Sequence, residues 1–132
     1  MITDWREKWG YEFPFYFVQL ANFMAHQEVQ PDSKWAALRE AQSEALHLKN
    51  TGMAVAIDIG EAGDIHPKNK QEVGRRLALL SLSDTYKKNV ESRAAYMTDY
   101  YVSGGALVLL FNETLPVSCL LYTSPSPRDR QK

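Results

Sequence analysis

The chain has 132 residues, of which 45% are hydrophobic and 23% charged, with a formal net charge of −1 and a single cysteine. This length suits one domain with a hydrophobic core, and the near-neutral charge gives no electrostatic reason to expect nucleic acid or an anionic membrane as a partner. No apolar run is long enough for a membrane span, the opening residues MITDWREKWG lack a hydrophobic signal region, and one cysteine excludes an internal disulfide.

An aromatic run near the N-terminus predicts the first buried strand. Residues 13–20, FPFYFVQL, are aromatic and β-branched, and Pro14 is tolerated because it lies near the start of the strand. Gln19 is the polar residue at the carboxyl end, either as a substrate-facing amide or as a buried amide satisfied within the fold. Residues 21–30, which include His26, show no periodicity and predict a loop or lid.

A helix and a second strand are predicted to follow. Asp32 or Ser33 can cap the helix, apolar residues recur at helical spacing after it, and 50–52, Asn-Thr-Gly, provides a stop. Residues 53–59, MAVAIDI, form a short apolar run typical of a strand buried on both faces. Strand, helix and strand together predict a βαβ unit with parallel strands.

The second strand leads into a polar loop that ends at a predicted helix over 69–87. The loop carries three acids and a histidine, namely Asp58, Glu61, Asp64 and His66. Open α/β folds place their chemistry in loops at the carboxyl ends of the strands, so this loop is the candidate site.

Three interpretations of the loop are open from the residues alone. His66 can act as a general base at neutral pH if Asp64 or Asp58 orients its ring, and the spacing does not choose between the two acids. Asp64 can instead cap the following helix, and His66 can be a structural histidine. The three acids and the imidazole can also hold a divalent cation.

The C-terminal third predicts a β-hairpin. Residues 95–102 and 106–111 contain strand-forming residues, and Ser-Gly-Gly at 103–105 provides the turn. The tyrosines of the first strand can either pack or stack against a sugar.

Three segments resemble a known family in order and in spacing. They are PFYFVQLANF, WAALREAQ and TGMAVAIDIGEAGDIHPKNKQEVGRRLAL, and the similarity runs from about residue 4 to residue 80. Together they resemble the C-terminal half of the sialate O-acetylesterase family, which are carbohydrate esterases of the Ser-Gly-Asn-His hydrolase class.

The resemblance implies a partial flavodoxin-like α/β/α sandwich and a serine esterase that removes acetyl groups from sialic acid or related sugars. It implies no cofactor and no metal, and an acetylated sugar rather than nucleic acid or a membrane as the partner. His66 would be the general base. In the wider class the orienting acid stands three residues before the histidine, and that position is Gly63 here. Asp64 is therefore preferred as the acid, with Asp58 second. Gln19, from its place at the carboxyl end of the first strand, is the candidate substrate-binding residue.

The Gly-x-Ser nucleophile segment of the class and its oxyanion blocks are not found in this sequence. We therefore expect residues 1–87 to be the C-terminal part of a catalytic domain, residues 88–118 to be a β-hairpin that begins a small β subdomain, and the isolated chain to be close to inert. The alternative is a non-catalytic carbohydrate-binding or scaffold module of the same fold.

The tail is of a different kind. Residues 119–129, CLLYTSPSPRD, are identical to one reading frame of a common sequencing-library adapter. We interpret 119–132 as a translated artefact with a disordered composition, and Cys119 then carries no functional meaning.

Overall fold

The computed structural model of the chain describes residues 1–25 and 32–113. They fall into two units, Met1–Arg93 and Ala94–Lys132, the second of which is described as far as Glu113. The described residues do not include His26 or residues 119–132, the segment interpreted as a translated artefact. Among the helices that the structure describes, none is long and apolar enough to cross a membrane.

The first unit is built on a two-stranded parallel sheet with helices before, between and after its strands. In chain order its elements are α1 (Ile2–Trp9), β1 (Phe15–Val18), α2 (Lys34–Ser43), β2 (Thr51–Ala54) and α3 (Lys70–Leu80). The strands are parallel, with Phe15 opposite Thr51 and Val18 opposite Ala54. The α/β fold and the parallel βαβ unit predicted from the sequence are therefore confirmed.

Both strands are shorter than the apolar runs that predicted them. β1 begins after Pro14, which has no backbone N–H to donate. β2 ends at Ala54, because the following residues turn, and the Ile59 backbone N–H donates to the Ala56 carbonyl at 3.3 Å. Most of the second predicted strand, residues 55–59, is thus the start of a loop, and β2 begins two residues earlier than predicted, at Thr51.

The helices cover both faces of the sheet. On one face, the Phe15 ring lies 5.8 Å from the Trp5 ring of α1, and the Gln19 amide reaches α2. On the other face Leu80 of α3 is almost fully buried, and a Cβ added to Gly52 would lie 3.4 Å from it. Successive residues of a strand point to opposite faces of the sheet, and here each face is covered by helices, as an α/β layer structure requires.

Arg6 fastens α1 to the beginning of both strands. Its buried guanidinium donates to the Phe13 carbonyl at 2.8 and 3.1 Å and to the Asn50 carbonyl at 3.1 Å. A charged side chain is tolerated there because backbone oxygens that precede β1 and β2 satisfy it.

Side chains cap two of the helices. Ser33 accepts the Ala36 N–H at 3.2 Å at the start of α2, as one of the two predicted caps. Asn69 accepts the Glu72 N–H at 3.1 Å at the start of α3, so Asp64 is not the cap of that helix. A 3₁₀ turn, Glu44–His47, follows α2, and a π-helical turn, Ser81–Thr85, follows α3.

The second unit is the predicted hairpin. β3 (Met97–Ser103) and β4 (Ala106–Phe111) pair antiparallel, with Ser103 opposite Ala106. Gly104 and Gly105 make the turn with φ of 58° and 78°, values that favour glycine because they lie in the left-handed region.

Candidate active site

The candidate site lies in residues 55–69, which connect β2 to α3 and which we call the His66 loop. Since β1 and β2 are parallel, the loop leaves the same end of the sheet as the segment that follows β1. The two segments touch: the Met24 N–H donates to the Ala62 carbonyl at 3.0 Å.

Asp64 and His66 form a pair at the centre of the loop. One oxygen of Asp64, Oδ1, accepts the His66 backbone N–H at 2.9 Å and lies 3.1 Å from Nδ1 of the ring. The backbone hydrogen bond and then the ring contact lower the pKa of Asp64, so its carboxylate is ionised at neutral pH. The His66 side chain is 80% exposed, and Nδ1 is the ring nitrogen turned to Asp64.

Asp58, the second acid considered for the histidine, is held by Arg76. The guanidinium donates to its two carboxylate oxygens at 2.6 and 2.7 Å. This hydrogen-bonded pair lowers the pKa of Asp58 and satisfies both of its oxygens. Of the two acids that the sequence left open, the structure brings Asp64 to the ring.

The acids of the loop do not converge on one point. Glu61 is bonded to the Lys68 ammonium at 2.7 Å, while Asp58 belongs to Arg76. Across residues 1–25 and 32–113, no three His, Cys, Asp or Glu side chains come together as metal ligands. Among the described residues, the side chains of the loop therefore do not form the ligand arrangement that a divalent cation would require.

Gly60 lies where the His66 loop packs tightly against the segment after β1. A Cβ built on Gly60 would lie 2.2 Å from Asn22 Oδ1, 2.5 Å from the Asn22 carbonyl and 2.8 Å from Ala21 Cβ. Trp35 supports that segment from α2, because its indole N–H donates to the Ala21 carbonyl at 2.9 Å. Sequence reasoning missed Gly60 and Asn22, since nothing in the pattern of either segment shows that they meet.

Gln19 lies at the end of β1 with its amide directed into α2. Its Nε2 donates to the Arg39 carbonyl at 3.3 Å and to Ser43 Oγ at 3.4 Å. These contacts match the interpretation of a structural amide, and its role in substrate binding stays a prediction.

Comparison with known proteins shows similarity to carbohydrate esterases. The chain is 30% identical over 136 residues to sialate O-acetylesterase from Mus musculus, covering 89% of this chain and 25% of that protein. It is similar to the crystal structure of a carbohydrate acetylesterase from Xanthomonas citri, with a TM-score of 0.77 and 45% identity over 85% of this chain and 26% of the other. No protein-family model matches.

The chain thus spans about a quarter of the length of each relative. Its α/β fold and its sequence are similar to the matched parts of these two esterases. The chain is similar to a sialate O-acetylesterase over most of its own length, as the three sequence segments predicted.

Proposed function

We propose that this chain contributes the catalytic base, with the loop that supports it, to an esterase that hydrolyses O-acetyl groups of sialic acid or related sugars. The observation that carries the proposal is the Asp64–His66 pair, at 3.1 Å, in a chain whose relatives are acetylesterases. Because the chain spans about a quarter of those relatives, the nucleophile would come from sequence that it does not contain.

His66 would move one proton in each half of the reaction. Its Nε2 takes the proton of a serine hydroxyl while the serine oxygen attacks the ester carbonyl carbon. The imidazolium then gives that proton to the sugar oxygen, which leaves as a hydroxyl, and the acetyl group stays on the serine. Water, deprotonated by the same nitrogen, attacks the acetyl-enzyme; the imidazolium then returns the proton to the serine oxygen as the bond to the acetyl carbon breaks, and acetic acid leaves and ionises to acetate.

Asp64 would fix the tautomer of His66 and stabilise the positive charge of its imidazolium form. An ionised carboxylate at Nδ1 holds the proton on that nitrogen, so Nε2 keeps the lone pair that a base needs. The lowered pKa of Asp64 keeps the carboxylate charged throughout the neutral range. A positioned general base contributes about 10²- to 10⁴-fold to a rate.

The test is a chimera in which this chain replaces the matched quarter of the Xanthomonas citri acetylesterase. We expect the chimera to hydrolyse p-nitrophenyl acetate and O-acetylated sialic acid, and His66→Ala to lower kcat about 10³-fold or more. The chain by itself should show no turnover above background.

His47 provides a matched control within the same chain. It is an exposed histidine beside a carboxylate, with Nε2 at 3.3 Å from Glu44, but it lies after α2 and away from the His66 loop. His47→Ala should leave kcat unchanged. An active chimera that His66→Ala does not slow would refute the proposal. A folded chimera that binds sugar but does not hydrolyse the ester would favour the non-catalytic alternative.

A further inference from the structure

Arg76 reaches from the second turn of α3 back to the beginning of the His66 loop. Besides its two bonds to Asp58, its Nη1 donates to the Val55 carbonyl at 2.6 Å and its Nε to Glu72 Oε1 at 2.8 Å. The side chain is 24% exposed, so it lies along the protein surface rather than extending into solvent. One guanidinium thus joins the helix to the loop by three bonds, two to a side chain and one to the backbone.

Glu72 holds this guanidinium in position. It precedes Arg76 by one helical turn and accepts bonds from both Arg75 and Arg76, and its own N–H is bound by the helix cap Asn69. The two arginines lower the pKa of Glu72 to about 2, so it is ionised under all ordinary conditions. The fork of Arg76 is therefore oriented toward the loop before Asp58 binds it.

The arrangement attaches both ends of the His66 loop to one helix. His66 lies four residues before α3 and is connected to it through the capping residue Asn69, while Val55 and Asp58 are tied to α3 by Arg76. Fixing both ends of a loop reduces the conformations available to the residues between them.

We infer that Arg76 is a positioning residue that keeps His66 on Asp64 by holding the other loop carboxylate, Asp58, away from the imidazole. The inference rests on the proposed function, in which His66 needs one defined tautomer. Asp58 is 56% exposed and lies on the same loop, so release from Arg76 would leave a second anion free to compete for the ring. Arg76 both neutralises that anion and fixes its place.

The test reads the histidine ring directly, in the full 132-residue chain labelled with ¹⁵N and carrying Trp9→Lys, which limits association through the exposed aromatic groove around this residue. Long-range ¹H–¹⁵N correlation spectra at neutral pH report which ring nitrogen carries the proton, and His66→Ala identifies the signals of His66. In the wild-type chain we expect the proton on Nδ1, where Asp64 accepts it. In Arg76→Gln the ratio of the Nδ1–H to the Nε2–H tautomer should fall about tenfold, as loss of one charge-assisted hydrogen bond implies.

Arg75 supplies the matched control. It is an arginine on the same helix that is bonded to Glu72 at 2.7 and 2.8 Å, and its contacts do not include Asp58. Arg75→Gln should leave the tautomer ratio of His66 unchanged. Adding Asp58→Asn to Arg76→Gln removes the competing charge and should restore the ratio of the wild type.

Two results would overturn the inference: an unchanged tautomer ratio in Arg76→Gln, or a fall that Asp58→Asn does not reverse. If Arg76→Gln does not fold, Arg76→Lys decides the question, because lysine keeps the charge but lacks the fork. Arg76→Lys should lower the tautomer ratio less than Arg76→Gln does, and adding Asp58→Asn should restore the ratio. A wild-type ratio in Arg76→Lys would refute the inference. The readout needs no hydrolysis, so it separates failure of this inference from failure of the proposed esterase activity.

Discussion

Substituting Gly60 with alanine tests whether the two segments at the carboxyl end of the sheet are packed as closely as the structure shows. The new methyl group would lie within 2.8 Å of three atoms, Asn22 Oδ1, the Asn22 carbonyl oxygen and Ala21 Cβ. The amide can rotate away, but the carbonyl and the Cβ belong to the chain itself and move only with the backbone. The segment after β1 must therefore shift away from the His66 loop.

The expected cost follows from two opposing effects. Forcing an extra methyl group into a packed contact costs about 1–3 kcal/mol. Removing a glycine restricts the unfolded chain and returns about 0.4–1 kcal/mol. We expect Gly60→Ala to lower the free energy of unfolding by about 1–2 kcal/mol, the balance of these effects.

Two other glycines give controls of opposite sign. Around Gly63, in the same loop, and Gly74, inside α3, an added Cβ meets nothing within 4 Å. Gly63→Ala should raise the free energy of unfolding by about 0.4–1 kcal/mol, and Gly74→Ala by about 0.5–1 kcal/mol because alanine also favours the helix.

Urea denaturation measures all three variants, each carrying Trp9→Lys to limit association through this exposed ring, with circular dichroism and tryptophan fluorescence as probes. Trp35 is a useful probe because its ring lies 5.6 Å from Phe23 and its indole bonds to the carbonyl of Ala21, next to the contact. If Gly60→Ala is as stable as Gly63→Ala, the close packing of the two segments is refuted.

The other predictions concern pH, the first helix, metal dependence and solubility. The pKa of Glu72 is lowered from 4.5 to about 2, so its stabilising contribution is complete above pH 4.5 and is lost as the pH falls toward 2. The urea midpoints measured at pH 7 and at pH 2.5 should therefore differ less in Glu72→Gln than in the wild type. Arg6→Met should cost about 2–3 kcal/mol in urea unfolding because it removes buried, charge-assisted hydrogen bonds, whereas exposed Lys8→Met should cost about 0.5 kcal/mol or less. EDTA should leave the kcat of the esterase chimera unchanged, and a loss of activity that zinc or magnesium restores would contradict the serine mechanism. The chain should elute as aggregates in size-exclusion chromatography, and Trp9→Lys should raise the monomer fraction; a wild-type monomer with a cooperative melt would contradict this.

The sequence predicted the elements of the fold better than their ends. Hydrophobic runs locate β1 and β2, but the second run continues to residue 59 whereas β2 stops at Ala54. The Val55 carbonyl is directed to Arg76, twenty-one residues further along the chain, and the following residues turn. A strand end that a distant side chain determines leaves no mark on local hydrophobicity.

The sequence likewise predicted where the candidate site lies better than how its side chains are paired. A histidine after a buried strand, with acids around it, indicated the loop, and family resemblance singled out His66 and Asp64. The spacing did not decide between Asp64 and Asp58, because the deciding group is the guanidinium of Arg76, eighteen residues from Asp58. Lys68, which binds Glu61, was overlooked for the same reason: an exposed lysine in a loop gives no sign of its partner.

The proposed base and the hydrophobic core differ in how much they depend on the rest of a protein. The contacts that shape the pair lie within the His66 loop and the helix that follows it: Asp64 with His66, and Asp58 with Arg76. The buried apolar side chains among the described residues are few and mostly small, and a groove of about 440 Å³ lined by Trp5, Trp9 and other aromatic residues is open. Local hydrogen bonds therefore set the geometry of the base, whereas stability requires that something cover the aromatic surface. For this reason a chimera, which supplies the other three quarters of an esterase, is a better test of activity than the chain alone.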